Sequence, residues 1–150
     1  MATSDPYELA RFLEAQSRCY AQVLEELAAG EKASHWMWFI FPQLKGLGVS
    51  TTARRFGLSG LEEARAYLAH AVLGERLRQC TQLLLAVEGR SAHEIFGSPD
   101  DLKLRSCLTL FAQAAPAPAQ EDRVFVEALA KYYGGEPDPV TLRLLTSSVS

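Results

Sequence analysis

Apolar residues recur at helical spacing along most of the chain, and no stretch alternates between apolar and polar side chains as a half-buried strand does. The apolar stripes run through residues 9–27, 73–87, 104–111 and 124–132, and each is followed closely by a glycine or a proline. This pattern predicts an all-α fold. We expect one compact domain spanning residues 1–150, with about six or seven helices.

Several short motifs have the residue types that begin helices, because their side chains satisfy free backbone N–H groups there. These motifs are the Asp5-Pro6 pair, the Ser59/Glu62 and Ser91/Glu94 capping boxes, the Ser98-Pro99-Asp100-Asp101 run and the Asp138-Pro139 pair. The helix that follows Ser98 is expected to reach about Ala114. Because it is apolar on more than one face, we expect it near the centre of the fold.

Charge and hydropathy exclude several classes of partner. The net charge is -3 and there is no run of Lys or Arg, so we expect no binding to long nucleic acid. The longest apolar stretch, residues 36–41, is too short to cross a membrane. Residues 1–5 do not resemble a signal peptide, so we expect a cytoplasmic protein. The oligomeric state is left open.

Cysteine and histidine spacing argues against a metal site or a cofactor. The three cysteines, Cys19, Cys80 and Cys107, form no C-x-x-C pair and lie in apolar helical patterns. They are expected to be core thiols in a reducing compartment. The three histidines do not have the spacing of zinc ligands. We therefore expect no metal and no cofactor.

Residues 32–56 depart from the helical pattern and predict an aromatic-rich loop segment after the first helix. Both tryptophans, Trp36 and Trp38, lie here, and residues 36–41 contain four aromatic rings. The short length of 36–41 and the proline after it predict either a lone extended piece or one helical turn. Two interpretations stay open at this stage: an aromatic plug that closes the core, or one wall of a binding pocket.

In the pocket interpretation, the tryptophan rings stack on a planar ligand while Arg54 or Arg55 supplies charge to a phosphate. The turn at residues 46–48 and the helix start at Ser50 offer backbone N–H groups of the kind that bind phosphate. The candidate ligand-binding residues are Trp36, Trp38, Gln43, Gly46, Gly48, Ser50 and Arg54.

Three further residues are candidates for catalysis. His35 flanks the aromatic run and is either a general base or a histidine at the edge of the core. Asp100 is either half of an acid pair with Asp101 or a helix-start residue. Lys103 lies on the predicted central helix, where a lysine either extends to solvent or is held by an acid.

Long motifs along the chain resemble those of a bacterial domain-of-unknown-function family, number 1810. The similarity is carried by Arg11-Phe12, Gln16 and Tyr20, by residues 34–44 with Gly46-Leu47-Gly48, by residues 64–68, by Leu73-Gly74, and by residues 95–106. Ala71 departs from the pattern, where members often have proline. The resemblance implies a small helical fold of bacterial type and no established activity. Some members are labelled calpastatin-like, but an ordered helical chain does not resemble that disordered inhibitor.

A weaker similarity, over residues 77–97, is to helical domains linked to NAD and ADP-ribose metabolism, the NADAR domains. Together with the predicted pocket, it suggests a chain that binds or hydrolyses a phosphate-bearing nucleotide derivative such as an ADP-ribose-like ligand. One alternative is a protein-interaction module that uses the segment Trp36 to Phe41. The other is that this segment is purely structural. The sequence does not decide whether the chain is an enzyme.

Overall fold

The predicted helices are present, but they are shorter and more numerous than the stripes suggested. The computed structural model describes residues 5–47, 50–115 and 120–147. Within these ranges the chain forms ten α-helices and no β-strand, which confirms the all-α class and corrects the expected six or seven helices. The helices are α1 (Ala10–Ser17), α2 (Tyr20–Ala29), α3 (Met37–Ile40), α4 (Thr51–Phe56), α5 (Leu61–Ala69), α6 (Leu73–Ala86), α7 (Ala92–Phe96), α8 (Asp100–Ala114), α9 (Arg123–Tyr133) and α10 (Pro139–Ser147), with a 3-10 turn at Gln120–Asp122.

The first apolar stripe forms two helices instead of one. It breaks at Cys19, whose backbone angles (φ −143°, ψ 5°) are not helical. The change of direction lets Gln16 and Tyr20 both reach α6, where Arg76 donates to Oε1 of Gln16 and the Tyr20 hydroxyl donates to Gln79. Hydrophobic periodicity does not reveal such a break, because both halves still face the core.

The helix-start motifs were predicted with mixed success. Asp5 accepts hydrogen bonds from the backbone N–H groups of Leu9 and Ala10, so the cap is present although α1 begins four residues later than Pro6. The Ser91/Glu94 capping box is confirmed. The Ser59/Glu62 box is wrong, since both the N–H and the hydroxyl of Ser59 donate to Glu63. Of Glu62 and Glu63, only Glu63 is buried, and it also forms an ion pair with Arg11 of α1. These contacts explain why Ser59 binds Glu63.

The helix α8 occupies the centre of the fold, as expected from its apolar residues. It packs against α5, α7, α9 and α10. Phe111 lies in its last turn, with its ring centroid 5.5 Å from Tyr67 of α5 and 5.7 Å from Phe125 of α9. Ser98 provides no side-chain cap for this helix. Because α8 is fixed from several sides, its first turn is a rigid platform for the polar residues it carries.

The aromatic segment forms one helical turn, α3, and then passes along the end of α4. Leu44 and Leu58 form an isolated parallel bridge, with the Lys45 N–H 2.9 Å from the Leu58 carbonyl oxygen and the Leu58 N–H 2.9 Å from that of Gln43. In the part of the chain that the structure describes, no helix has both the length and the apolar character needed to cross a bilayer.

Candidate functional site

Trp36 is part of the core. Its side chain is 1% exposed, and its ring lies near those of Phe41 (6.2 Å) and Phe96 (6.3 Å). The indole N–H donates to Oε1 of Glu26 at 2.9 Å, so the polar edge of the ring is satisfied within the protein. No face of Trp36 is open for a ligand to stack on, which corrects its place among the candidate binding residues.

Glu26 fixes the start of the aromatic segment and was missed in the sequence. It accepts hydrogen bonds from the backbone N–H groups of Ala33 and Ser34, from the Ser34 hydroxyl and from Trp36. Burial raises its pKa, but the hydrogen bonds from Ser34, Ala33 and Trp36 outweigh burial and hold the pKa at about 2. The helical spacing of the sequence could have identified it, because Glu26 lies three positions after the buried Val23. It is therefore on the core-facing side of α2.

Trp38, two positions later, is only partly buried and meets the first turn of α8. Nζ of Lys103 lies 3.8 Å from the centroid of its ring, well within cation–π range. The two segments that the sequence singled out separately, around residues 35 and 103, therefore meet in space. This contact is the centre of the site considered below.

Asp100 forms ion pairs with two lysines at this contact. Its carboxylate lies 2.9 Å from Nζ of Lys32 and 3.4 Å from Nζ of Lys103. Lys103 is thus held by an acid, one of the two alternatives open for it. We call Lys32, Trp38, Asp100 and Lys103 the lysine–tryptophan cluster.

Lys32 is the member of the cluster that the sequence did not identify. Its backbone N–H donates to the carbonyl oxygen of Ile95 at 2.8 Å, which anchors it to α7 just before α8 begins. Its side chain is 8% exposed, and its Nζ lies 5.1 Å from the Trp36 ring centroid. A lysine this deeply buried needs a partner, and Asp100 is the partner present.

Four of the remaining candidates lie in or beside the aromatic segment. His35 is exposed, and its side chain has no hydrogen bond or ion pair within the described residues. Gln43 is buried, with its carbonyl oxygen in the bridge to Leu58. Gly46 lies in an exposed turn with φ +96°. Gly48 lies outside the described residues.

Ser50 and Arg54 belong to a different part of the surface. The Ser50 hydroxyl accepts from the Ala53 N–H at 3.1 Å and so caps α4. Arg54 is exposed and lines a cleft of about 560 Å³, which we call the basic cleft. The cleft is lined by Pro6, Tyr7, Glu8, Arg11, Glu14, Lys45, Arg54, Arg55, Ser59 and Glu63. None of its lining residues belongs to the lysine–tryptophan cluster, so the structure places the residues predicted for one pocket in two separate parts of the surface.

Metal-binding geometry is not found: within the described residues, no group of three or more His, Cys, Asp or Glu side chains is placed to hold an ion. The lysine–tryptophan cluster contains two ammonium groups and one carboxylate.

Comparison with known proteins gives a family and a close structural relative. A family model described as "Protein of unknown function (DUF1810)" matches residues 6–145. The chain is similar to the crystal structure of the conserved hypothetical protein Rv1873 from Mycobacterium tuberculosis, with 56% sequence identity and a TM-score of 0.90. That similarity covers 95% of this chain and 99% of the other. No curated protein matches the chain.

Proposed function

The chain belongs to the DUF1810 family of proteins of unknown function, and we propose that it binds a small phosphate-bearing ligand, such as a nucleotide derivative of the ADP-ribose type, at the lysine–tryptophan cluster. The observation that carries the proposal is the 3.8 Å contact between Nζ of Lys103 and the Trp38 ring. A nucleotide derivative carries both phosphate and an aromatic ring, and this contact places a cation directly beside an aromatic side chain.

The charge balance of the cluster favours an anionic ligand. Lys32 and Lys103 contribute two positive charges and Asp100 one negative charge, which leaves a net charge of +1 (2 − 1). The three side chains are between 8% and 21% exposed, so water screens this charge less than on an open surface. A phosphate oxygen can bind the ammonium groups without displacing the carboxylate that holds them in place.

Two further acids adjoin the cluster in the sequence. Glu31 adjoins Lys32 in the sequence, and Asp101 adjoins Asp100. Oδ2 of Asp101 lies 3.4 Å from Nδ1 of His93. Its Oδ1 accepts from the backbone N–H of Leu102. Neither lysine of the cluster forms an ion pair with Asp101 within the described residues.

The alternative of a protein-interaction module has less support. Of the segment Trp36 to Phe41, only Trp38 and Phe39 are partly exposed, and the other four side chains are buried. A partner surface built on this segment would therefore expose two rings. Interfaces bind through larger clusters of buried anchors, so a small ligand fits the observation better.

The test is a titration of the purified chain with ADP-ribose, with adenosine and inorganic phosphate as its fragments. Binding is followed by intrinsic fluorescence, to which both tryptophans contribute. The Trp38→Phe variant shows which part of the fluorescence change comes from Trp38. We expect saturable quenching of Trp38 emission by ADP-ribose. Lys103→Met should weaken binding by about tenfold or more, the usual loss when a charge-assisted hydrogen bond is removed.

Arg18→Met is the control, because it removes an exposed positive charge that belongs neither to the cluster nor to the basic cleft. It should bind ADP-ribose with unchanged affinity. The proposal fails if no probe gives a saturable response, or if Lys103→Met binds as tightly as the control. Hydrolysis is followed separately by phosphorus NMR of the bound ligand. Product formation that is lost in Asp100→Asn would add a reaction to the binding function.

A further inference from the structure

The basic cleft has two walls of opposite character. One wall is the chain that leads into α1 together with the exposed face of that helix, and it contributes Glu8 and Glu14. The other wall is α4 with the turn before it, and it contributes Lys45, Arg54 and Arg55. All five of these side chains belong to exposed residues, and none forms an ion pair within the described residues.

Arg11 holds the two walls at a fixed separation. On its own wall it donates to the carbonyl oxygens of Tyr7 and Glu8. Across the cleft it donates to the carbonyl oxygens of Arg55 (2.7 Å) and Gly57 (3.2 Å). Its guanidinium is therefore fully used by the protein. The cleft is a preformed feature of the fold, as ligand sites usually are.

Glu63 holds Arg11 in the position that joins the two walls. Oε2 of Glu63 lies 2.8 Å from Nη2 of Arg11, and Oε1 of Glu63 accepts hydrogen bonds from the N–H and the hydroxyl of Ser59. The Arg11–Glu63 pair is mutually neutral. The charges left for a ligand are therefore three positive and two negative, a net charge of +1 (3 − 2).

Lys45 is placed at the cleft by a close backbone contact. A Cβ atom on Gly57 would lie 2.5 Å from Cγ and 2.9 Å from Cα of Lys45, so a side chain at position 57 would push the lysine away. The Lys45 N–H also donates to the carbonyl oxygen of Leu58. The fold thus keeps this lysine against the end of α4, next to the two arginines.

We propose that the basic cleft binds a sugar phosphate. A guanidinium binds phosphate oxygens in pairs, which matches the wall formed by α4. Sugar hydroxyls donate hydrogen bonds to carboxylates, which matches Glu8 and Glu14 on the opposite wall. A zwitterion such as an amino acid would leave the net charge of +1 unneutralised, whereas a phosphate monoester carries about −1.5 to −2. The volume, about 560 Å³, is within the range of small-molecule sites.

The experiment uses the full chain and ribose 5-phosphate as the probe, with binding measured by calorimetry and by amide shifts in NMR spectra. We expect saturable binding, with amide shifts concentrated in residues 5–14 and 50–59. The double substitution Arg54→Gln with Arg55→Gln should weaken it by about tenfold or more. Arg90→Gln removes an exposed arginine elsewhere and should leave binding unchanged. Equal binding by the double variant and this control would overturn the proposal.

A second comparison tests the chemical class. Replacing Glu8 and Glu14 with Gln removes negative charge, so it should tighten binding of inorganic phosphate. It also weakens the acceptors for hydroxyl groups, so the preference for ribose 5-phosphate over inorganic phosphate should fall by about fivefold. An unchanged preference would show that the carboxylates do not bind the sugar, and this would overturn the sugar-phosphate assignment.

This proposal does not depend on the function proposed for the lysine–tryptophan cluster. Lys103→Met should leave binding of ribose 5-phosphate at the cleft unchanged, because Lys103 does not line it. Trp38 fluorescence reports on the cluster, while the amide signals of residues 50–59 report on the cleft. Failure at one site is therefore distinguishable from failure at the other.

Discussion

The indole Nε1 of Trp36 donates a hydrogen bond to Oε1 of Glu26 at 2.9 Å, and this bond joins α2 to the segment that precedes α3. The same carboxylate binds the backbone of residues 33 and 34, so one buried acid holds the chain where it turns away from α2. Lys32 of the lysine–tryptophan cluster lies directly before this turn. The geometry of the candidate site therefore rests on a residue that is not part of it.

Glu26→Gln is expected to destabilise the protein by about 2–3 kcal/mol, because an amide replaces a charged acceptor and brings two N–H donors to a site already full of donors. Urea unfolding followed by circular dichroism measures the change. Glu25→Gln, at the exposed neighbouring position, is the control and should change stability by less than about 0.5 kcal/mol. Equal effects of the two substitutions would contradict the role given to Glu26.

The same carboxyl group should make stability depend on pH. Its pKa is lowered in the folded protein from the ordinary 4.5 to about 2. The unfolded chain therefore takes up the proton first, and the stabilisation is fully present above pH 4.5 and is lost as the pH falls toward about 2. Unfolding curves across this window should show the advantage of the wild-type chain over Glu26→Gln shrinking as the pH falls. A constant difference would contradict the lowered pKa.

Lys131 of α9 should stabilise the end of α6. Its Nζ donates to the carbonyl oxygens of Leu84 (3.2 Å), Leu85 (2.7 Å) and Val87, which lie at the C-terminal end of α6. Lys131→Met keeps most of the stem and removes the charge, so we expect a loss of about 1–2 kcal/mol in unfolding free energy. Arg123→Met, at an exposed position of the same helix, should change stability much less. Faster amide exchange confined to the last turn of α6 would localise the effect.

Much of the fold could be predicted from the sequence, because buried stripes and caps act locally. The capping box at Ser91, the extent of α8 and the start of α10 beside Asp138 all follow from residues close in the chain. The break at Cys19 and the choice of Glu63 over Glu62 do not. Both depend on partners far away in sequence, namely residues on α6 and Arg11.

The candidate site was predicted less completely, for the same physical reason. Residue types identified Trp38, Asp100 and Lys103 separately, and their contact appears only after α8 packs against the aromatic segment. Trp36 and Trp38 look equivalent in sequence. Their burial differs because α3 is a single helical turn, which directs neighbouring side chains to different sides.

The three free thiols should differ in reactivity. Burial raises the pKa of Cys80 to about 12 and the pKa of Cys107 well above its ordinary value, and both residues are fully buried. Cys19 also has a raised pKa but is only partly buried. Iodoacetamide should therefore modify Cys19 alone in the folded protein and all three thiols after unfolding. Mass spectrometry of the peptides identifies the modified residues, and labelling of Cys107 under native conditions would contradict the packing of α8.

Among the glycines that the structure describes, Gly74 should be the least tolerant of a side chain. A Cβ atom there would lie 2.1 Å from the carbonyl oxygen of Leu68 and 2.8 Å from its carbonyl carbon, so the clash is with backbone where α5 turns into α6. Backbone cannot rotate away as a side chain can, and Gly74→Ala should cost about 3 kcal/mol or more. Gly60→Ala is the matched control, since nothing lies within 4 Å of its Cβ position and its φ of 167° is extended backbone. If thermal unfolding shows equal losses for the two variants, the close approach of α5 and α6 is not what requires glycine at position 74.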